Sequence, residues 1–230
     1  MSTLLLVRHG LTPMTGPVLA GRTPGVHLDD RGAKQAAAVA ARIAVLPLSA
    51  IVTSPLDRCL DTATVIRDSQ QNTLDLQVDE RIIECDYGEW TGQALKDLTR
   101  DPVWKIVQTQ PSAARFPGGE SLSEVSARAV AAVRDWNARL PDDAIWVACS
   151  HGDVIKAVLA DALGLHLDQF QRIVVDPCSV SVVRYTAARP YVLRSNDIGS
   201  DLAAFVPPKK KSRRKADDAT VGGGSGGGTL

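Results

Sequence analysis

The sequence predicts an α/β fold with a largely parallel central sheet. Two observations carry this. Short apolar runs over 3–8 (TLLLVR), 50–53 (AIVT) and 144–149 (AIWVAC) have the length and composition of buried strands. Each is followed in time by a stretch with helical character, so strands and helices alternate along the chain. TLLLVR ends at a charge and leads into a Gly-, Pro- and Thr-rich loop over 11–28. Residues 30–45 are Ala-rich with polar residues on one side, which predicts a helix. Behind AIVT, Ser54-Pro55 has the form of a helix start, a Ser cap followed by Pro at the first helical position, for a helix to about 68. Residues 74–78 suit a short edge strand, and 79–92 a structured loop. Residues 93–119 allow short helices at best and close on Pro111, Pro117, Gly118 and Gly119. Ser121 and Glu124 match a capping box that opens a helix to about 140. Residues 152–163 form a helix with Gly164 as its stop. Residues 179–185 and 191–194 make a final strand pair.

Composition bounds the function. The 230 residues are 44% apolar, enough for one sizeable domain with a core; aromatics are only 4%, so packing rests on Ala, Val, Leu and Ile. Lys+Arg and Asp+Glu both number 26, and this zero balance selects no polyanionic partner. The balance is uneven along the chain. Residues 207–230 carry six basic and two acidic side chains (+4), which leaves −4 on the remainder. The domain is expected over 1–205, and 206–230, basic and then Gly-rich, is expected to be disordered. The stretch KKKSRRK could contact nucleic acid or an anionic membrane surface; a solubilising tail is an equal reading. No apolar run approaches the roughly 18 residues of a membrane span, and the N-terminal run is too short for a signal peptide. Cys59, Cys85, Cys149 and Cys178 are widely spaced, without the pairing of a disulfide framework or a zinc knuckle. The expectation is a cytoplasmic protein with reduced thiols, no metal and no cofactor.

Two of the four histidines share a setting. His9 and His151 each end an apolar run and precede a glycine. In parallel sheets ligands bind at the carboxyl ends of strands, so two such histidines can converge on one pocket. One alone would read as a core histidine; the matching pair argues against that. Arg8 adjoins His9, and Arg58 lies one turn into the helix after AIVT. Guanidinium forks match phosphate oxygens, and the helix start at Gly152 adds free amides. The sum is an anion site with two imidazoles, which points to a phosphoryl group. The bland alternative for Arg58 is a surface ion pair with Asp57 or Asp61. An unprotonated imidazole beside a phosphate is a nucleophile, and the departing oxygen then needs a proton. The loop ECDYGEW offers Glu84, Asp86 and Glu89, and spacing does not choose among them.

These segments resemble the histidine phosphatase superfamily, the phosphoglycerate-mutase-like proteins. LLLVRHGLT (4–12) resembles its signature. Gly21-Arg22 and LDDRGAKQA (28–36), TSPLDRCLDTA (53–63), ECDYGEWTG (84–92), GGES (118–121) and SHG (150–152) follow in the family's order. The resemblance implies a three-layer α/β/α sandwich. It implies that His9 is the nucleophile that becomes phosphohistidine, and that Arg8, Arg58 and protonated His151 complete the phosphate pocket. Glu84 then matches the proton donor. Arg22, Gly152, Glu120 and Trp90 fall on the substrate side, although Glu120 is equally a charge before a helix cap. Two positions depart from the family pattern. Leu11 stands where many relatives have Glu, and Thr15 where many have Asn. A Thr hydroxyl lacks the amide's second group, so Thr15, or Thr12 in its place, serves that corner differently. Tyr87, Trp90, Trp104 and Phe116 either stack on a sugar or base or pack the segment over the pocket.

The implied activity is metal-independent phosphomonoester hydrolysis on a small phosphorylated metabolite. Sugar phosphates, phosphoglycerates, nucleotides and α-ribazole phosphate are all compatible with it. A phosphoglycerate-type mutase is the alternative; the short segment 93–117, with scattered Lys96, Arg100, Lys105 and Arg115, favours the phosphatase. A non-catalytic phosphate-binding protein is a second alternative, and a homodimer is compatible with either.

Overall fold

The computed structural model describes residues 1–199; the expected domain limit at 205 and the tail 206–230 lie outside the described residues. Six strands form one sheet: β1 (Ser2–Arg8), β2 (Leu48–Thr53), β3 (Leu76–Val78), β4 (Ala144–Ser150), β5 (Val180–Tyr185) and β6 (Pro190–Asp197). Their order is β3-β2-β4-β1-β5-β6. The pairings β1–β4, β2–β4 and β2–β3 are parallel, and β5 and β6 add an antiparallel edge. The mostly parallel sheet is therefore as expected.

Each central strand is apolar on both faces, and the period of two divides its side chains between two cores. On one face Leu5, Val7, Ile51 and Val147 pack against α1 (Asp30–Ile43) and α2 (Asp57–Asp68). On the other Leu4, Leu6, Val52, Trp146 and Ala148 pack against α5 (Leu122–Arg139) and α6 (Gly152–Leu163). These are the three layers of an α/β/α sandwich. The chain leaves β1 and β2 towards one face and β4 towards the other, so a crevice opens at the carboxyl ends of these neighbours. None of the described helices is long and apolar enough to cross a membrane.

Local signals act as expected in α5 and α6. The Ser121 hydroxyl accepts from the Glu124 N–H at 3.2 Å, and the Glu124 carboxylate accepts from the Ser121 N–H at 2.7 Å. Gly164 takes φ 67° and ends α6. The helix after β2 differs. It begins at Asp57, behind Leu56, and Ser54 is not its cap. That serine hydroxyl contacts His151 instead, at 2.7 Å. Segment 93–119 holds the short helices α3 (Leu95–Leu98) and α4 (Pro102–Thr109) and a 3-10 turn over Pro111–Ala113. A further 3-10 helix, Leu167–Arg172, has no counterpart among the expected elements.

Candidate active site

The sheet register brings the predicted residues together. Arg8 pairs with Ser150 and Thr53 with Cys149, so Ser54, His151 and His9 follow three adjacent strands at one level. The His9 N–H donates to the Ser150 carbonyl at 3.0 Å, and the Ser54 N–H to the Cys149 carbonyl at 3.0 Å. The turn after His9 is equally fixed: Gly10 N–H donates to Thr62 Oγ1 at 3.2 Å and Leu11 N–H to Gln35 Oε1 at 3.1 Å. It lies directly on the first turn of α1. A β carbon on Gly32 would stand 2.0 Å from the Leu11 carbonyl oxygen, which is why glycine occupies that helical position.

His9 Nδ1 lies 2.7 Å from the Gly10 carbonyl oxygen. A carbonyl only accepts, so Nδ1 carries the proton and Nε2 keeps its lone pair. The Arg58 Nε–H approaches that Nε2 at 3.3 Å. Arg58 is buried, donates through Nη2 to the Gly21 carbonyl at 2.6 Å, and reaches His151 Nδ1 at 3.4 Å. It is a pocket residue, and the surface ion-pair alternative does not apply. Among the described residues its buried Nη1 has no hydrogen-bond partner. Arg8, also buried, donates from Nη1 to the Val175 carbonyl at 2.8 Å.

His151 meets Ser54 Oγ through Nε2, and its Nδ1 lies 3.8 Å from Glu84 Oε2. The two imidazoles sit edge to face with centroids 5.3 Å apart. Burial, reinforced by Arg58 and other positive neighbours, pushes the pKa of both rings well below the ordinary histidine value. Burial, and then these charges, therefore favour a neutral His151 in the protein without a bound anion. Glu84 shifts the opposite way: burial, and then the Asp153 charge, push its carboxyl up to about 7. Oε1 accepts from the Cys85 N–H at 2.9 Å, which leaves Oε2 to carry a proton.

The substrate-side expectations divide. Gly152 is the first residue of α6, and His151 before it supplies no side-chain cap to that helix start. Thr12 and Thr15 bond each other, Oγ1 to Oγ1 at 2.9 Å, and Thr15 Oγ1 also accepts the Thr12 N–H at 3.0 Å. Arg22 donates to the Glu84 carbonyl at 2.9 Å and to Glu120 Oε2 at 2.8 Å. Glu120 also binds Arg128 and accepts the Asp86 N–H, so both of its oxygens are engaged. Trp90 is only 1% exposed, bonds Asp101 through its indole N–H, and packs on Trp104 and Phe116. Trp90, Tyr87 and Phe116 are buried in the core beside α5 and α6 and present no stacking face.

Three features escaped sequence reasoning. Ser54 looked like a cap, although its place at a strand end beside Pro55 was the available signal. Arg128 donates to the carbonyls of Arg81, Ile83 and Glu84 and so holds the Glu84 loop; these partners lie 44–47 residues away, and no local pattern marks it. Buried Asp153 accepts from the Tyr87 hydroxyl at 2.8 Å and lies 3.6 Å from Lys156 Nζ. It ties the Glu84 loop to the helix that follows His151.

Chemically the site offers an unprotonated imidazole nitrogen, two guanidinium groups around it, and a carboxyl that holds its proton near neutrality. Comparison with known proteins agrees. Residues 4–198 match the family model of the histidine phosphatase superfamily, branch 1. The chain is 31% identical over 202 residues to phosphoserine phosphatase 1 of Hydrogenobacter thermophilus, covering 85% of this chain and 92% of that one. It is 30% identical over 187 residues to a probable phosphoglycerate mutase of Enterobacter sp. (strain 638), covering 80% and 86%. It spans about half the length of the mycobacterial curated relatives it matches. Among solved structures, a mycobacterial glucosyl-3-phosphoglycerate phosphatase in complex with VO3 superposes with a TM-score of 0.77 at 26% identity, over 85% of this chain and 98% of that one.

Proposed function

Because the chain belongs to the histidine phosphatase superfamily, and is an enzyme of its phosphatase and phosphomutase kind, we propose that His9 is the phosphoryl acceptor of a phosphomonoesterase and Glu84 its proton donor. The observation that carries this reading is the opposed protonation of the pair: an unprotonated Nε2 on His9, and a carboxyl on Glu84 whose pKa is pushed up to about 7.

In the first step Nε2 of His9 attacks phosphorus, the ester P–O bond breaks, and Glu84 gives its proton to the departing oxygen. Arg8 and Arg58 stabilise the charge on the equatorial oxygens, with Arg58 Nη1 as a ready donor. His151 enters neutral. The dianionic phosphoryl group offsets the neighbouring guanidinium charges and draws a proton onto Nδ1, which then donates to an equatorial oxygen. In the second step the Glu84 carboxylate takes a proton from water, the water oxygen attacks phosphorus, and the P–N bond breaks. Inorganic phosphate leaves and His9 returns to its starting form. No step requires a metal.

The mutase alternative uses the same phosphohistidine and returns it to a second substrate oxygen. Here Lys96, Arg100 and Lys105 are exposed on the short segment, and Arg115 pairs with Glu124 at 2.6 Å. With the segment short, three of its basic side chains exposed and the fourth paired, hydrolysis is the favoured reading. The substrate is a small phosphorylated metabolite; phosphoserine and the phosphoglycerates are the first to try, given the relatives' names. The catalytic unit is taken as residues 1–205, with the basic tail outside it.

Phosphate release from a panel of such esters, with chelator present, tests the proposal against His9→Ala. Release by the wild type alone is expected. Acid-labile labelling by a bisphosphate donor without net release would instead establish the mutase.

A further inference from the structure

A second arrangement of held backbone lies just behind Arg8. Cys178 and Asn196 both adopt positive φ, 55° and 53°. A β carbon crowds its own backbone there, so such a conformation persists only where neighbours enforce it. Both residues are held. The Cys178 N–H donates to the Arg8 carbonyl at 3.0 Å and lies 3.4 Å from that of His9, while the Arg8 N–H donates to the Ser179 carbonyl at 3.3 Å. The Asn196 amide grips Asp176 on two sides. Its Oδ1 accepts from the Asp176 N–H at 2.6 Å, and its Nδ2 donates to Asp176 Oδ2 at 2.9 Å. The Asn196 N–H donates in turn to Ser181 Oγ at 3.1 Å, on a buried serine of β5.

Between these two grips, segment 173–178 presents the Val175 carbonyl to Arg8 Nη1. The Asp176 carboxylate is also among the negative charges that act on the Arg8 guanidinium. Asn196 sits at a register shift of the β5–β6 ladder, between the pairs Val182–Arg194 and Val180–Asp197, and this bulge turns its amide away from the ladder towards Asp176. The special geometry falls where the strand touches the segment behind Arg8. We infer that Asn196 and Asp176 are positioning residues for phosphoryl binding: their clamp fixes segment 173–178, and through the Val175 carbonyl and the Cys178 N–H it fixes the side chain and backbone of Arg8 beside His9.

This rests on the reading of Arg8 as a phosphoryl ligand. Releasing the clamp shifts a guanidinium while the Glu84 carboxyl keeps its own supports, Cys85, Arg22 and Arg128. The effect is therefore on phosphate affinity and KM; because the Arg8 charge also lowers the Glu84 pKa, any movement of the alkaline limb is to higher pH.

The test uses the full chain and inorganic phosphate as probe, by calorimetry, together with the pH–rate profile. Asn196→Gly keeps the backbone at ease, since glycine takes positive φ freely, and removes only the amide. Asn196→Gly and Asp176→Ala are expected to weaken phosphate binding roughly tenfold, with an alkaline limb that does not move to lower pH. Asp176→Asn keeps an acceptor towards Asn196 and is expected to recover most of the phosphate binding that Asp176→Ala loses. A merely structural role would lower the melting temperature of Asn196→Gly and leave phosphate binding intact, and that result overturns the inference. If Asn196→Gly does not fold, the comparison of Asp176→Ala with Asp176→Asn decides in the same terms. Arg8→Lys is the control: unchanged phosphate binding in it would overturn the reading of Arg8 itself.

Discussion

Glu84 and the two histidines are buried in one pocket yet shifted in opposite directions, and each shift has a consequence in solution. Glu84 must be protonated to serve the leaving group, so kcat/KM for alkyl phosphates is expected to fall as pH rises through about 7. Glu84→Gln should abolish turnover of alkyl phosphates. Asp153→Asn removes the neighbouring negative charge and should move the alkaline limb to lower pH; a limb that stays in place would exclude Asp153 as a cause. The same shifts act on stability. Glu84 has a folded pKa above its unfolded value, so its contribution is full below about pH 4.5 and is lost as pH rises through about 7. At pH 8, Glu84→Gln is therefore expected to be more stable than the wild type, by on the order of 3 kcal/mol, in denaturant unfolding. His9 and His151 have depressed folded pKa values, so their contribution is present above the ordinary histidine pKa of about 6.5 and is lost as pH falls below it. The residue types needed for this pocket were legible in the sequence because each sits at the end of an apolar run or one turn beyond it. That the reaction needs an unprotonated His9 nitrogen and a proton on Glu84 was legible too; which burial and which neighbours set those states was not, since only the fold assembles Arg58, Asp153 and the histidines around one another.

At the level of elements, alternation of apolar runs with helical segments was enough to place the strands β1, β2 and β4 and the helices α1, α5 and α6. Those elements carry their own signals, such as the capping box at Ser121 and the stop at Gly164. The start of α2 was misplaced because the Ser54 hydroxyl has a long-range partner, His151, stronger than any local use as a cap. Residues 93–119 and the turn at 167–172 carry weak local preferences and take their form from packing around Trp90, Phe116 and Phe170. The contact of α1 with the loop after His9 gives a test. Replacing a helix glycine by alanine ordinarily gains about 1 kcal/mol. At Gly32 the new β carbon would meet the Leu11 carbonyl oxygen, so Gly32→Ala is expected to destabilise by about 1–3 kcal/mol and to lower kcat through displacement of His9. A more stable, fully active Gly32→Ala protein would refute that coupling, with thermal unfolding and kcat as the two readouts.

For the molecule as a whole, the sheet joins two cores, and the pocket lies where the chain turns from one face to the other. The charge division along the sequence suggests a further separation of roles. Truncation after Phe205 is expected to leave turnover and melting temperature unchanged, and to remove any salt-sensitive retention on a polyanionic resin. Loss of activity in that truncation would move the domain limit into the tail. The sheet order has a last consequence, for synthesis. β1, which leads directly into His9, is the first strand made, but it lies between β4 and β5: Ser2 faces Ala144, 142 residues later, and Tyr185, 183 residues later. An emerging chain therefore holds this apolar strand unpaired until β4 has left the ribosome. Assembly is late, governed by distant contacts, and dependent on protection of LLLV from other chains in the meantime.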